Sequence, residues 1–306
     1  MFVGLLRLGL FATGAFVVLG LLNFIHPALD AMAQFRLHAL AALAGLVATA
    51  FLARLWLSAL AALLVGALAA GLTAPALLLG AVADGPTLRV VQFNLWYRND
   101  DRTGALKVLQ EADADVLVLQ ELVGTTGPLM NGLKQSHPHG IICQARQRPG
   151  NVAVLSRLPL AVGGKPYCHK QKAYAQAQIQ WQDRTVTVSS LHLSWPWPFK
   201  QHQQVSALEK EFDAIPQGAL VLAGDYNAAA WTRTVQRVAE RVGGAVAANR
   251  YFTWGPFHLR GLGRWGQLFS LDQAVLRGFR LKSRKILGAA GSDHRPVLLE
   301  LVATDD

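Results

Sequence analysis

The sequence predicts an α/β domain, built from mixed sheets with helices packed outside, behind an apolar helical first third. Three observations lead there. Met1–Ala83 carries only Arg7, Asp30, Arg36 and Arg54 as charged residues, too few to give its helices a polar face for water. From Asp84 onward, short apolar runs rich in β-branched residues recur between polar turns, which is the pattern of strands. Few stretches there keep helical spacing, so the helices cover sheets rather than one another.

A membrane span needs about 20 apolar residues. Three candidates follow one another: Leu8–Ile25, Leu37–Ala53, and Leu55 to roughly Leu79. A cleaved signal peptide has a single apolar core of about 7–15 residues, which three successive spans do not match. Arg7 and Arg54 would lie on one side of the bilayer, and Asp30, Arg36 and Asp84 on the other. The positive-inside rule puts the first pair in the cytoplasm. Three crossings then carry the rest of the chain to the periplasmic or extracellular face of an inner or plasma membrane. The chain so divides into a transmembrane anchor, residues 1–83, and a globular domain, residues 84–306.

After the short linker Asp84-Gly85-Pro86, "LRVVQFNLW" (Leu88–Trp96) reads as a strand. "TGALKVLQEADA" (Thr103–Ala114) has helical spacing at Leu106, Leu109 and Ala112. "DVLVLQE" (Asp115–Glu121), "NVAVLSRLPL" (Asn151–Leu160), "AYAQAQIQW" (Ala173–Trp181) and "TVTVSSLHL" (Thr185–Leu193) are strands, the last two with clean alternation. Lys200–Ile215 is a helix with a polar face. A buried strand over Ala219–Leu222, a helix over roughly Ala230–Val242, and strands at Ser270–Gly278 and Arg295–Ala303 complete the order. Cys143 and Cys168 could pair in an oxidising compartment, and the sequence leaves open whether they meet.

The strands end in polar residues. "QFN" closes on Asn94, "LQE" on Glu121, and "SLHL" carries His192. "GDYN" carries Asp225 and Asn227, "SLDQ" carries Asp272, and "SDHRPV" carries Asp293 and His294. Residues two apart on an extended chain share a side, so Asp225 and Asn227 reach one place. Singly, each is most often a turn residue or a cap, and a lone His on a strand is most often structural. Glu121 is stronger, because a carboxylate closing a buried strand must find a cation or donors. Together, three Asp, one Glu, two Asn and two His form the donor set of a Mg²⁺ site acting on phosphate. Neither cysteine stands in a zinc-ligand spacing. No Gly-x-Gly-x-x-Gly or Walker loop follows the first strand, so a nucleotide cradle has no support.

In this order, QFN, LQE, SLHL, GDYN, LDQ and SDH resemble the endonuclease/exonuclease/phosphatase superfamily, over about Leu88 to Val302. DNase I-like nucleases, apurinic endonucleases, neutral sphingomyelinases and inositol polyphosphate 5-phosphatases belong to it. The whole chain resembles its bacterial membrane-anchored members. The resemblance implies a four-layer α/β sandwich: two mostly antiparallel sheets face to face, helices outside, and a site at one rim. It implies Glu121 as the main Mg²⁺ ligand (Mn²⁺ being the alternative) with Asn94 beside it and Asp293 completing the metal-side carboxylates. It implies Asp225 to orient or deprotonate water, and Asn227 to hold phosphate or nucleophile. His192 and His294 would contact the non-bridging oxygens, with Asp272 paired to His294. Apurinic endonucleases usually carry a Tyr-based motif where SLHL stands here, which argues against DNA repair. Tyr226 stands where Phe is common.

"SWPWPFK" (Ser194–Lys200) follows His192, and "YFTWGPFHLRGLGRWG" (Tyr251–Gly266) is a second aromatic loop. Each reads either as packing or as a cleft rim; as a rim, Trp195, Trp197, Trp254 and Arg260 would touch substrate by stacking or at a bilayer interface. Of the chain's 29 Lys/Arg and 19 Asp/Glu, all but three and one lie beyond Ala83, about +8 net. That suits an anionic partner, nucleic acid or lipid phosphate. "RLKSRK" (Arg280–Lys285) reads as a solvated face. The expectation is a membrane-anchored, Mg²⁺-dependent phosphodiesterase, nuclease-like first. A phospholipid phosphodiesterase or small-molecule phosphatase comes second, and a non-catalytic binding module on the same fold third.

Overall fold

The computed structural model describes residues 1–81, 84–144, 150–169, 171 and 173–304, without the side chains of Phe257, Arg260 and Arg264. The first third forms α1 (Phe2–Leu21), α2 (Pro27–Ala33), α3 (Arg36–Leu52) and α4 (Trp56–Thr73), with a 3₁₀ turn at Ala74–Ala76. Two helices, Phe2–Leu21 and Trp56–Ala76, are long and apolar enough to cross a membrane. The expected middle span, Leu37–Ala53, falls on the 17-residue α3, which is joined to α2 across a 60° bend. A third crossing exists only if that bent pair counts as one. α2 begins on Pro27 with His26 as its cap and stops at Ala33, and the chain restarts its helix at Arg36. The buried Arg36 donates to Gly20 O (2.9 Å) and Thr73 Oγ1 (3.4 Å), tying α1, α3 and α4 together at one end.

The remainder contains β1 (Thr87–Asn94), α5 (Arg102–Glu111), β2 (Val116–Leu122), α6 (Pro128–Ser136), β3 (His139–Cys143) and β4 (Asn151–Ser156). Then come β5 (Tyr167–His169), β6 (Tyr174–Trp181), β7 (Arg184–His192), α7 (Gln201–Ala207), α8 (Glu209–Asp213) and β8 (Ala219–Asp225). The chain ends with α9 (Arg233–Arg241), β9 (Ala245–Val246), β10 (Asp272–Arg277), β11 (Phe279–Ile286) and β12 (Val297–Ala303). One sheet runs β11-β12-β1-β2-β4-β3 and the other β5-β6-β7-β8-β10-β9. Each holds one parallel pair, β1/β2 or β7/β8, among antiparallel neighbours.

Period-2 alternation assigns the layers. Leu88, Val90, Val118, Val188, Val221 and Leu299 meet between the sheets. Val91, Phe93, Leu117 and Leu119 face outward beneath α5 and α6. Leu191, Leu220 and Leu222 face outward beneath α7, α8 and α9. This is the expected four-layer sandwich. Each fully buried Val or Leu stabilises it by about 1.5–3 kcal/mol.

Several expectations need adjusting. The helix expected over Lys200–Ile215 breaks at Leu208 into α7 and α8. "RLKSRK" lies on β11, an edge strand whose burial alternates: Arg280, Lys282 and Lys285 face out, and Arg284 faces in and is buried. Cys143 of β3 and Cys168 of β5 form a disulfide, which joins the edges of the two sheets.

Candidate active site

Along the inner face, the apolar alternation gives way to polar residues at one rim. On β1 the inward series Leu88, Val90 continues as Gln92 and Asn94, and on β2 Val116, Val118 continues as Gln120. On β7 Val186, Val188 continues as Ser190 and His192, and on β8 Val221, Ala223 continues as Asp225. The parallel pairs bring those four strand ends to the same edge. β10 runs antiparallel to β8 and starts there, with Asp272 opposite Asp225. The SDH loop enters the same edge: Ser292 Oγ donates to Asn94 O (2.8 Å) and accepts from His294 N (3.0 Å).

Glu121 is out of phase with this pattern, since simple alternation would aim it outward beside Leu119. Its φ is +55°, and the pairing of β2 with β4 shifts between Leu119 and Leu122. That irregularity re-aims the carboxylate into the rim, as bulges do beside functional sites. Gly150 permits it: a Cβ there would lie 3.0 Å from Glu121 Cα. Asn227 is also left-handed, at φ +48°. Gly224 lets β8 approach β7, since a Cβ there would stand 1.9 Å from Leu191 O.

Three donors converge on one oxygen of Asp225. Asn94 Nδ2 reaches Oδ2 at 2.9 Å, His192 Nε2 at 3.4 Å and His294 Nε2 at 3.5 Å. The other oxygen accepts from Asn227 N at 2.8 Å. Asn94 Nδ2 also donates to Glu121 Oε1 (3.1 Å), while its own Oδ1 accepts from Trp96 N (2.9 Å). Glu121 Oε2 accepts from Tyr97 N (3.0 Å). Asn227 Nδ2 donates to Leu193 O (2.8 Å). Behind His294, Asp272 lies 3.0 Å from Nδ1 and accepts from Gln92 Nε2 at 2.7 Å. Gln92 continues to Gln120 (3.0 Å) and Gln120 to Ser190 (3.0 Å), a buried polar layer between the sheets.

Charge follows from this geometry. Burial opposes protonation of His294, but Asp272 and Asp225 outweigh it and push its pKa up to about 10. Burial also opposes charge on His192, and Asp225 and Glu121 overcome it to raise that pKa. Burial would raise Asp225; His294 and His192 prevail and hold it below the usual carboxylate range. Asp293, which accepts from Trp254 Nε1 at 3.0 Å, is raised by burial.

Ligand atoms of Asp225, Asp272 and His294 all lie within 4.8 Å of one another. Within that trio His294 pairs with Asp272 at 3.0 Å and with Asp225 at 3.5 Å. Glu121 and Asp293 line a cleft of about 600 Å³ with His192, Asp225, Asn227 and His294. Against Glu121, Asp225, Asp272 and Asp293 stand the two imidazoles, Lys200 on the cleft wall and the buried Arg284, whose charge acts on Asp272. The carboxylate oxygens of Glu121 and Asp293 would suit a hard divalent cation.

All eight expected polar residues therefore meet at one rim. Asn94 and Asp272 lie beneath its floor, and the other six line the cleft. Trp195 and Trp254 form one wall, ring centroids 5.4 Å apart and T-shaped. Trp197 lines a different cavity of about 240 Å³, with Phe24, Ile25 and His26. The side chain of Arg260 lies outside the described residues. Sequence reading missed Gln92, Gln120 and Ser190, although they stand inside the quoted motifs. The available signal was a polar residue in the inward phase of an apolar strand.

The model of the Endonuclease/Exonuclease/phosphatase family matches residues 91–294, more than half of the chain. The chain belongs to that family. Solved structures agree on the fold of this family member. The human Nocturnin catalytic domain with bound sulfate is 16% identical with a TM-score of 0.58, over 72% of this chain and 94% of that one. Sphingomyelinase C from Streptomyces griseocarneus is 18% identical with a TM-score of 0.52, over 71% and 99%. D. rerio TDP2 complexed with a single-strand DNA product is 16% identical with a TM-score of 0.55, over 72% and 100%. No curated protein matches the sequence significantly.

Proposed function

We propose that this chain is a membrane-anchored, divalent-metal-dependent phosphodiesterase, with Mg²⁺ the expected ion. The observation that carries the reading is the convergence of Asn94, His192 and His294 on one carboxylate oxygen beside Glu121. Donors that gather around a carboxylate oxygen are equally suited to a phosphate oxygen. His192 and His294 would bind the non-bridging oxygens, with Asp272 keeping His294 charged. Asp225, held by Asn227 N, would orient a water and receive its proton as the water oxygen attacks phosphorus. One ester P–O bond breaks, and the leaving oxygen takes a proton from solvent. Asn227 would steady the phosphate or the water. Glu121 and Asp293, with Asn94 beside Glu121, would hold the cation, which when bound supplies further positive charge to the phosphate.

The first substrate reading is nucleic acid, supported by the basic globular part and by Trp195 and Trp254 on the cleft wall as stacking surfaces. A second reading, a phospholipid ester, is favoured by Trp197, which shares a cavity with Phe24 and Ile25 at the end of α1. The test uses the full chain in detergent with supercoiled plasmid and with phospholipid vesicles, each with Mg²⁺ or a chelator. Mg²⁺-dependent nicking supports the first reading, and release of phosphorylated headgroup supports the second. Failure on both and on simple phosphodiesters would sink the enzyme reading.

We further propose that residues 84–306 lie outside the cytoplasm. The helical unit meets them through the end opposite Arg54, since Asn23, Asp30, Gln34 and Ala76 make the contacts. A disulfide between Cys143 and Cys168 suits an oxidising compartment. Alkaline phosphatase fused after Asp306 is then active, and a signal only from a cytoplasmic reporter would reverse the topology.

A further inference from the structure

Asp30 is the one acidic residue among Met1–Ala83, and it is buried. A buried carboxylate needs compensating donors, and those of Asp30 come from far along the chain. It accepts from Arg233 N (2.6 Å), Thr234 N (2.9 Å) and Thr234 Oγ1 (2.7 Å), capping α9 from outside. Four residues on, Gln34 Oε1 accepts from Ala229 N (2.6 Å). Trp231 Nε1 donates to Ala33 O (2.7 Å). Ala229, Ala230 and Trp231 pack against Leu37, Ala76 and Leu77.

This contact lies directly behind the catalytic turn. Ala229 is two residues from Asn227, whose φ is +48°, a conformation that persists only when its surroundings over-determine it. Gln201 holds the turn from the other side, donating through Nε2 to Tyr226 O (2.9 Å) and Asn227 O (3.1 Å). Gln201 Oε1 stands 3.2 Å from Thr234 Oγ1, the hydroxyl that donates to Asp30. The opposite wall rests on the same segment. Phe35 meets Phe269 edge-on at 5.2 Å, and Phe269 lies 5.8 Å from Trp254, which donates to Asp293.

We propose that Asp30 and Gln34, within the apolar first third, are positioning residues for the catalytic turn. The helical unit is thus a structural part of the active site as well as an anchor. The inference rests on the proposed role of Asn227 for its effect on turnover, and on geometry alone for its effect on the turn. Misplacing a reacting group by about 1 Å lowers rate about 10²-fold.

The test uses the full chain in detergent, with Gln34→Ala, Asp30→Ala, the acceptor-preserving Gln34→Glu, and Leu57→Ala on an exposed face of α4 as control. Turnover of a small soluble phosphodiester at saturating Mg²⁺ is compared with amide exchange over residues 224–234. We expect kcat to fall about 10–100-fold in the two alanine variants at that interface, with KM within about twofold as for a loss of transition-state interactions. Exchange over 224–234 should rise in the same two variants, and Gln34→Glu should restore most of kcat. Unchanged exchange and unchanged kcat in variants that merely melt earlier would overturn the proposal. If the wild type turns over no phosphodiester, increased exchange still upholds the positioning role while the proposed function falls.

Discussion

Asp225→Asn should lower kcat by about 10²–10⁴-fold, the range for removing a positioned acid–base group, while the chain stays folded. The asparagine keeps one oxygen and the shape of the side chain, so Asn227 N can still donate to it. It loses the negative charge that draws His192 and His294 together at 3.4 and 3.5 Å. The loss should appear in kcat rather than in KM. Steady-state kinetics on any phosphodiester that the wild type hydrolyses checks this, with a melting curve as the control for folding. Turnover within threefold of wild type would remove Asp225 from the mechanism.

The second large effect is a pH dependence set by Asp272. In metal-free protein, His294 has its pKa raised from 6.5 to about 10, against burial, by Asp272 and Asp225. A group whose folded pKa is raised stabilises the fold fully below its unfolded value and loses that contribution as pH rises through the folded value. The window is therefore about pH 6.5 to 10. Asp272→Asn removes the largest favourable partner, so its His294 titrates lower and much of that stabilisation is absent throughout. Melting temperatures in chelator should differ most at pH 6.5 and converge towards pH 10. A gap that stays constant over the window would show that the pair contributes nothing through His294 charge.

The sequence exposed much of the site because strands carry polar residues to a rim in a period of two. Asn94, His192 and Asp225 continue the inward phase of β1, β7 and β8, and Asp272 begins that of β10. Glu121 breaks that phase, and only the left-handed backbone and the shifted pairing explain how it arrives. No local pattern announces such a bulge. Gln92, Gln120 and Ser190 were legible as inward polar residues, but their meaning depends on partners as far as 180 residues away, as between Gln92 and Asp272. The pairing of Cys143 with Cys168 needed the sheet edges to be known. The middle span departs from expectation for a related reason: it is joined across a 60° bend to α2, whose segment lies against the globular part, where Asp30 and Gln34 find donors. Polar residues that look anomalous in an apolar stretch mark a tertiary contact here.

The most direct test of the central claim is Mg²⁺ binding and hydrolysis measured together on the full chain and on Glu121→Ala. The account predicts that wild-type hydrolysis requires the cation and stops in chelator. It predicts that Glu121→Ala binds Mg²⁺ at least 10-fold more weakly, taking about 10-fold as the lower end known for residues that merely support a metal ligand, and turns over no measurable substrate. Undiminished Mg²⁺ affinity with wild-type turnover in Glu121→Ala would contradict it.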